Sequence, residues 1–413
     1  MGHKTILSLA GIYLVIFIDS LGASLIIPML TPIAHDPDIG LMASGTEQYR
    51  NIMYGVALGA FSLAMFFGSP LLGSLSDSLG RKKTLLICLA GLAASYSLMT
   101  FAIMLKSVWL FIGGRLVGGF FSGSLPVAQA AIIDVTEPDH RARFIGYIMF
   151  AVSLGYVIGP LVGGWLSNPD IADGFSLTTP FVFVAILSVI NLLALMLAFK
   201  DRGGTRPDRV PYQNPVRTLA DAFRSDSART CCILLLFMLV GWNTFFQFIG
   251  LFVTLERNFD PQTVSHLVAW AGFGLAVSFL VLVGLALKYM KPANMVSLAL
   301  FLMALCIGGA LFVSHPYAQY ALAIIGACGF GLSYSGLMAR LSASVDADRQ
   351  GSIMGLAAAI AAFSAGFSAF SFGAMANISP GAPLAAALAC VVLALLLSCR
   401  PSLDPAATLQ SQP

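Results

Sequence analysis

Residues 73–83 read GSLSDSLGRKK and place one acid and three bases around Gly80, a residue that permits a tight turn. Apolar runs of about residues 51–72 and 84–105 flank this stretch. Each run is long enough to cross a bilayer, which takes about 20 residues. The stretch is therefore predicted to be a loop between two membrane-spanning helices, and its bases indicate the cytoplasmic side. Gly73 and Gly80 are expected to let the chain turn tightly and two helices approach closely.

The composition of the whole chain indicates an integral membrane protein. Of its 413 residues, 58% are hydrophobic and only 10% are charged, whereas soluble domains carry about 25% charged residues. The apolar runs are continuous, which argues against the alternating pattern of a β-barrel. The predicted fold class is an all-α polytopic membrane protein of twelve transmembrane helices in two six-helix halves. The twelve runs lie at about residues 5–33, 51–75, 83–105, 108–134, 142–166, 179–199, 230–255, 263–287, 293–313, 317–339, 351–376 and 382–399.

One long polar interval separates the first six runs from the last six. The predicted domains are an N-terminal half at residues 1–200, a cytoplasmic linker at 201–228 and a C-terminal half at 229–413. Apolar residues at helical spacing between residues 216 and 223 suggest an amphipathic helix on the membrane surface, and a mobile linker fits the same residues equally well.

The distribution of basic residues predicts the orientation of the chain. If the N-terminus is inside and the helices alternate in direction, all but four of the 22 Lys and Arg residues face the cytoplasm or its membrane surface. The exceptions are Arg50, Lys106 and Arg257 on the outside and Arg115 within a span. Both termini are therefore expected in the cytoplasm.

The order Gly-x-Leu-Ser-Asp-x-x-Gly-Arg-Lys in residues 73–82 resembles the loop between helices 2 and 3 of the major facilitator superfamily of transporters. The resemblance implies a cluster of charges that latches the two halves together when the transporter opens outward. Its expected members are Gly73, Asp77, Gly80, Arg81, Asp134 and Arg340. Asp77 would face the start of helix 11, near Arg340 or Arg349. The family commonly has Arg directly after this Asp, where this chain has Ser78.

Asp19 lies near the middle of the first predicted helix and is the only acid deep in any predicted span. A charged residue there costs roughly 2.5–3.5 kcal/mol on insertion scales and usually faces a cavity or a partner. A structural role in packing is the alternative to a functional one. With Gly22 and Pro28, the helix resembles the first helix of the drug–proton antiporter family, in particular its tetracycline efflux branch. The resemblance implies that Asp19 carries the coupled proton.

Arg115 is the basic residue left within a predicted span, in helix 4. At about 1.5 Å of rise per residue, its depth differs from that of Asp19 by less than the reach of an arginine side chain. The depths allow a direct or water-mediated contact with Asp19, and the alternative is an arginine that extends to the periplasmic surface. Arg115 resembles the intramembrane arginine of the family's helix 4, although Gly118 stands where the family usually has Gln.

The fifth helix contains SLGYVIGPLVGGWL, in which small residues recur one turn apart. Such a face permits close helix packing, and the proline bends the helix. The order Gly-x-x-x-Gly-Pro-x-x-Gly-Gly resembles the antiporter motif of exporters. Its residues are Gly155, Gly159, Pro160, Gly163 and Gly164.

Other polar and aromatic groups are candidates to line a large apolar pocket with few polar anchors. They are Tyr13, Gln129, Tyr156, Asn243, Gln247, Trp270 and Tyr334. The sequence has no phosphate-binding loop, nucleophile constellation or metal-ligand spacing, so we expect no enzymatic activity, no cofactor and no metal. Uphill transport would then need an ion gradient.

The resemblance implies a proton-coupled exporter of a small amphipathic or cationic compound, such as a drug, that works by alternating access. The expected partners are this compound, protons and the lipid bilayer, with no nucleic acid. The expected form is a monomer in the bacterial cytoplasmic (inner) membrane. A siderophore or metabolite transporter in either direction is the first alternative. A non-transporting membrane sensor on the same fold is a further one.

Overall fold

The computed structural model describes residues 3–36, 40–42, 45–135, 138–198, 226–343 and 350–399, and these residues form helices joined mostly by short turns. In chain order the helices are α1 (His3–His35), α2 (Glu47–Leu79), α3 (Arg81–Met104), α4 (Val108–Phe121), α5 (Ser124–Val135), α6 (Pro138–Leu166), α7 (Thr179–Ala198), α8 (Asp226–Arg257), α9 (Pro261–Val277), α10 (Val283–Tyr289), α11 (Pro292–Phe312), α12 (Pro316–Ala343), α13 (Gln350–Met375) and α14 (Ala382–Ser398).

The helices confirm the predicted fold class. Eleven helical segments in the described part of the chain are long and apolar enough to cross a membrane. The helix α14 is an apolar twelfth of 17 residues, which is at the short end of the range that spans a bilayer. The order and approximate positions of these segments follow the twelve predicted runs.

The fourth predicted run is not one helix, because it breaks at Ser122 and Gly123 into α4 and α5. The backbone N–H of Ser122 bonds to the carbonyl of Gly119 at 3.2 Å, which tightens and ends α4. Pro126 follows in the first turn of α5, where its missing N–H is tolerated. The break therefore places a second helix N-terminus, that of α5 at Ser124, in the middle of this span.

The eighth span contains a π-helical turn between α9 and α10, from Ser278 to Leu282. The hydroxyl of Ser278 donates to the carbonyl of Cys328 on α12 at 3.0 Å, which ties this wide turn to its neighbour.

The predicted charged loop at residues 73–83 is wrong in extent, because Gly80 alone separates α2 from α3. Asp77 lies in the last turn of α2 and not in a loop. Gly80 has φ 91°, a conformation that glycine adopts without strain. The close helix approach expected at Gly73 is also wrong, since a Cβ there would meet nothing within 4 Å.

α2 approaches α4 closely at an earlier part of the helix, between Phe61 and Gly68, where the two backbones are in contact. A Cβ added at Gly119 of α4 would overlap the backbone of Phe61, and one added at Gly68 of α2 would overlap the backbone of Phe120. These glycines let the two helices pack backbone to backbone, as small residues do in membranes.

The chain forms two compact units. The first contains α1 to α7 with residues Asn258–Ala269, and within it α1 packs on α6, α2 on α4, and α3 on α4 and α7. The second contains α8 and the chain from Trp270 onward, and within it α8 packs on α13 and α14 and α11 packs on α12. The predicted domain boundaries stay a prediction. The predicted amphipathic helix at 216–223 lies outside the described residues.

Candidate functional site

The carboxylate of Asp19, on α1, has a direct partner in the break between α4 and α5. The hydroxyl of Ser124 donates a short hydrogen bond to Asp19 Oδ2. Ser124 is the first residue of α5 and is only 2% exposed. A helix N-terminus favours a neighbouring negative charge, so the hydroxyl and the start of α5 together suit a carboxylate. Sequence reasoning missed Ser124, because a serine in an apolar run carries no signal of its own.

Arg115 is held by α2 rather than by Asp19. Its Nε donates to the carbonyl of Ala57 at 2.9 Å, and its guanidinium carbon lies 4.5 Å from the ring centroid of Phe61. Arg115 is 5% exposed, so it does not extend to the membrane surface. Within the described residues, no ion pair joins Arg115 to Asp19. The structure therefore shows no direct contact between the described side chains of Arg115 and Asp19, and a shared role in coupling stays a prediction.

Tyr96 of α3 occupies the space near both charges, and sequence reasoning missed it. Its side chain is 2% exposed and interacts electrostatically with both Arg115 and Asp19. A Cβ added at Gly22 would overlap the Tyr96 hydroxyl. In the sequence, Gly22 stood out only as part of a motif. The structure shows why a glycine is needed there, because Tyr96 occupies the space that a side chain would fill.

Two of the predicted latch residues form an ion pair within the first unit. Arg81 Nη1 lies 2.6 Å from Asp77 Oδ1. Arg340 lies in the last turn of α12, in the second unit. The side chain of Asp134 and all of Arg349 lie outside what the structure describes. A latch between the halves therefore stays a prediction.

The predicted antiporter motif lies on α6 and forms its contact with the helix that carries Asp19. A Cβ added at Gly155, Gly159 or Gly163 would run into atoms of α1. The hydroxyl of Ser24 on α1 donates to the carbonyl of Gly155 at 3.0 Å. A Cβ at Gly164 would instead overlap Ser265. The expected close helix contact is confirmed, and it fixes α6 directly against α1.

The predicted pocket residues of the first unit lie on α1, α5 and α6. The hydroxyl of Tyr13 donates to the carbonyl of Phe144 at 3.3 Å, so it ties α1 to α6. Tyr156 is partly buried, and its phenol interacts electrostatically with Asp19. Gln129 lies on α5 and is partly buried.

The predicted pocket residues of the second unit are Asn243, Gln247, Trp270 and Tyr334. Gln247 Nε2 donates to the carbonyl of Ala365 at 3.2 Å. Tyr334 stacks on Phe330 with ring centroids 5.9 Å apart, and Phe330 stacks on Trp242 at 5.0 Å. Asn243 is partly buried, whereas Trp270 is 43% exposed and packs on Phe273. A shared pocket stays a prediction.

Comparison with known proteins identifies the family. The model of the Major Facilitator Superfamily matches residues 12–370. This chain belongs to the major facilitator superfamily. Among its relatives in that superfamily, the tetracycline resistance protein of class H from Pasteurella multocida is 28% identical over 362 residues, covering 84% of each chain. The class C protein from Escherichia coli is 30% identical over 353 residues, covering 83% of each.

Solved major facilitator structures share the fold. The human organic anion transporter MFSD10 (TETRAN) matches with a TM-score of 0.69 at 18% identity, over 96% of this chain and 100% of that chain. A D-xylose–proton symporter matches with a TM-score of 0.71 at 16% identity, over 95% and 98%. The predicted family is confirmed, and this major facilitator protein is a multi-pass membrane transporter of small molecules.

Proposed function

We propose that this protein exports a small amphipathic or cationic compound, such as a drug, in exchange for protons. The observation that carries the proposal is the Asp19 carboxylate, which lies within a membrane span and accepts a hydrogen bond from Ser124 at the helix break. A titratable acid within a membrane span is costly in free energy, and such acids are typical of proton relays in transporters.

Two further observations support export. The relatives named tetracycline resistance proteins match over more than four-fifths of the chain. The glycine face of α6, which resembles the motif of exporters, packs on α1 and so lies against the helix that carries Asp19.

The roles proposed for the charged residues follow from electrostatics. Ionised Asp19 attracts a cationic substrate, and protonation of Asp19 from the outside neutralises it and favours release. Because the coupling between two ligands is reciprocal, the substrate must disfavour the proton by the same free energy. Arg115 supplies a positive charge in the same region, and Asp77 with Arg81 belongs to the latch that changes between the two access states.

Transport of a siderophore or another metabolite is the second candidate. Major facilitator superfamily domain-containing protein 10 from Bos taurus is 28% identical over 285 residues, and the human protein of that name is described as an organic anion transporter. Asp19 argues for cations over anions, since an ionised carboxylate repels an anionic substrate.

The proposed setting is the bacterial cytoplasmic membrane, with the protein a monomer and both termini in the cytoplasm. The distribution of basic residues and the bacterial origin of the tetracycline resistance relatives support this.

The test is drug resistance and proton exchange in an efflux-deficient bacterial host. The host carries the wild type, Asp19→Asn, or Asp173→Asn as a control in an exposed turn between α6 and α7. Minimal inhibitory concentrations are measured for tetracycline, cationic dyes and other antibiotics, and growth is compared in iron-limited medium. Everted vesicles then report proton release when a resisted compound is added.

Wild type and Asp173→Asn should confer resistance and release protons, and Asp19→Asn should do neither while still inserting in the membrane. Resistance that survives Asp19→Asn would show that Asp19 is not the carrier. Growth in iron-limited medium without resistance to any compound would favour the metabolite transporter.

A further inference from the structure

We propose that Tyr96 is a positioning residue that links the charge of Arg115 to the carboxylate of Asp19. The inference rests on the proposed function, in which Asp19 takes up and gives off the coupled proton. The sequence motifs assign no role to Tyr96.

The position of the Tyr96 hydroxyl is the first observation. It lies against the backbone of Gly22, where an added Cβ would overlap it. Gly22 follows Asp19 by three residues on α1, and residues at this spacing are neighbours on one helix face. The hydroxyl therefore lies one helical turn from Asp19, in a part of the first unit where Tyr96 is only 2% exposed.

The second observation is the set of charges around the tyrosine. The Tyr96 phenol lies near the charges of both Arg115 and Asp19. Arg115 itself is bound to the Ala57 carbonyl and stacked on Phe61, so it does not reach the acid directly. Cys88 of α3 and Tyr156 of α6 also interact with the charge of Asp19. Among these neighbours, Tyr96 carries the hydroxyl group that lies near both Arg115 and Asp19.

The chemistry of a phenol suits this link. Oδ2 of Asp19 already accepts from Ser124, and no second hydrogen bond to Asp19 occurs in the described part of the chain. A tyrosine hydroxyl can donate to the remaining oxygen while it accepts from a guanidinium group. Donation to a carboxylate is stronger when the carboxylate is ionised. The link therefore forms with the ionised acid and weakens when the proton binds.

The experiment measures protonation of Asp19 without any substrate. Purified full-length protein in detergent is treated with dicyclohexylcarbodiimide, which modifies protonated carboxyl groups in apolar surroundings. The modified fraction of the Asp19 peptide is followed by mass spectrometry from pH 5 to pH 9, with Asp19→Asn to assign the signal.

Two variants test the link by different routes. Tyr96→Phe keeps the ring and removes the hydroxyl, and Gly22→Ala keeps the hydroxyl but displaces it with a methyl group. Each should move the pH of half-modification upward by about one unit, because the ionised form loses a donor. Tyr54→Phe, at an equally buried tyrosine on α2, and Gly113→Ala, at a glycine with open space around it, should not move that pH.

The outcomes separate the two proposals. Wild-type Asp19 that is modified at no pH would overturn the proposed function and this inference together. Wild-type Asp19 that titrates, with the same midpoint in Tyr96→Phe, would overturn the role of Tyr96 and leave the proposed function standing. An equal shift in Tyr54→Phe would also overturn it, since the effect would then be one of general packing.

Discussion

Arg81, the first residue of α3, holds Asp77 in the last turn of α2 through an ion pair of 2.6 Å. The same Nη1 atom donates to the hydroxyl of Ser76 at 2.5 Å. Only Gly80 separates the two helices. The acid at this junction is therefore already paired within the first unit. Any latch to the second unit must compete with Arg81 for the same carboxylate.

Asp77→Asn should lower transport with little loss of folded protein. The change removes the charge that the proposed latch uses, whereas a partly exposed ion pair contributes only about 0–1 kcal/mol to stability. Efflux from cells and thermal unfolding in detergent measure the two effects. Ser78→Ala, in the same turn, is the control and should alter neither. Normal efflux by Asp77→Asn would mean that the pair serves only local structure.

Ser124→Ala should impair proton coupling and also lower stability. It removes a donor to a charged group, and such hydrogen bonds contribute about 1.5–3 kcal/mol. We expect efflux to lose its wild-type pH dependence, measured as uptake of a resisted compound into everted vesicles across a pH series. Ser122→Ala is the matched control, because its hydroxyl donates at 2.8 Å to the carbonyl of Gly119 in the last turn of α4 and not to Asp19. Identical pH profiles for both variants and wild type would refute the role of Ser124.

Alanine at Gly80 and at Gly73 should have opposite effects on stability. Gly80 has φ 91°, so alanine there should cost about 1–2 kcal/mol of the free energy of unfolding. Gly73 is inside α2 with open space around it, so alanine there should stabilise by up to about 1 kcal/mol through helix propensity. Thermal unfolding of the two purified variants tests this, and a destabilised Gly73→Ala would contradict it.

Gly119→Ala should destabilise the first unit. The new methyl group would overlap the backbone of Phe61, which cannot rotate away as a side chain can. Overpacking of this kind typically costs about 1–3 kcal/mol. The amount of monodisperse protein and its unfolding temperature measure the effect. Gly113→Ala, on the same helix but in open space, should behave as wild type.

Hydropathy was sufficient to predict the class, the twelve spans and their order, because a helix in lipid must hide its backbone polar groups within about 20 apolar residues. Asp19 and Arg115 could be singled out as charges inside spans, because a charge there is costly, and their roles stay predictions. Residue order at 73–83 and in the fifth helix predicted the family.

The partners of those charges were not predictable. The acceptor of Arg115 is the backbone carbonyl of Ala57. Every residue has a backbone carbonyl, so the sequence does not indicate which one accepts this bond. Ser124 and Tyr96 depend on which helix faces meet, which apolar periodicity does not specify. The helix break at Ser122 and Gly123 was also not predicted, because two small residues hardly change the mean hydropathy of a long window. The loop predicted around Asp77 was wrong because its charges suggested solvent, whereas α2 continues past Asp77 to Leu79 and the bases begin α3.

The wide turn from Ser278 to Leu282 changes the angular register of the eighth span. An α-helix turns by about 100° per residue, and a π-helical turn accommodates one residue more than an α-helical turn does. Side chains after residue 282 therefore point about 100° away from the directions that a regular helix from Pro261 would give them. Deleting one residue within that turn would restore a regular helix and leave Lys288, near the end of α10, facing in nearly its present direction.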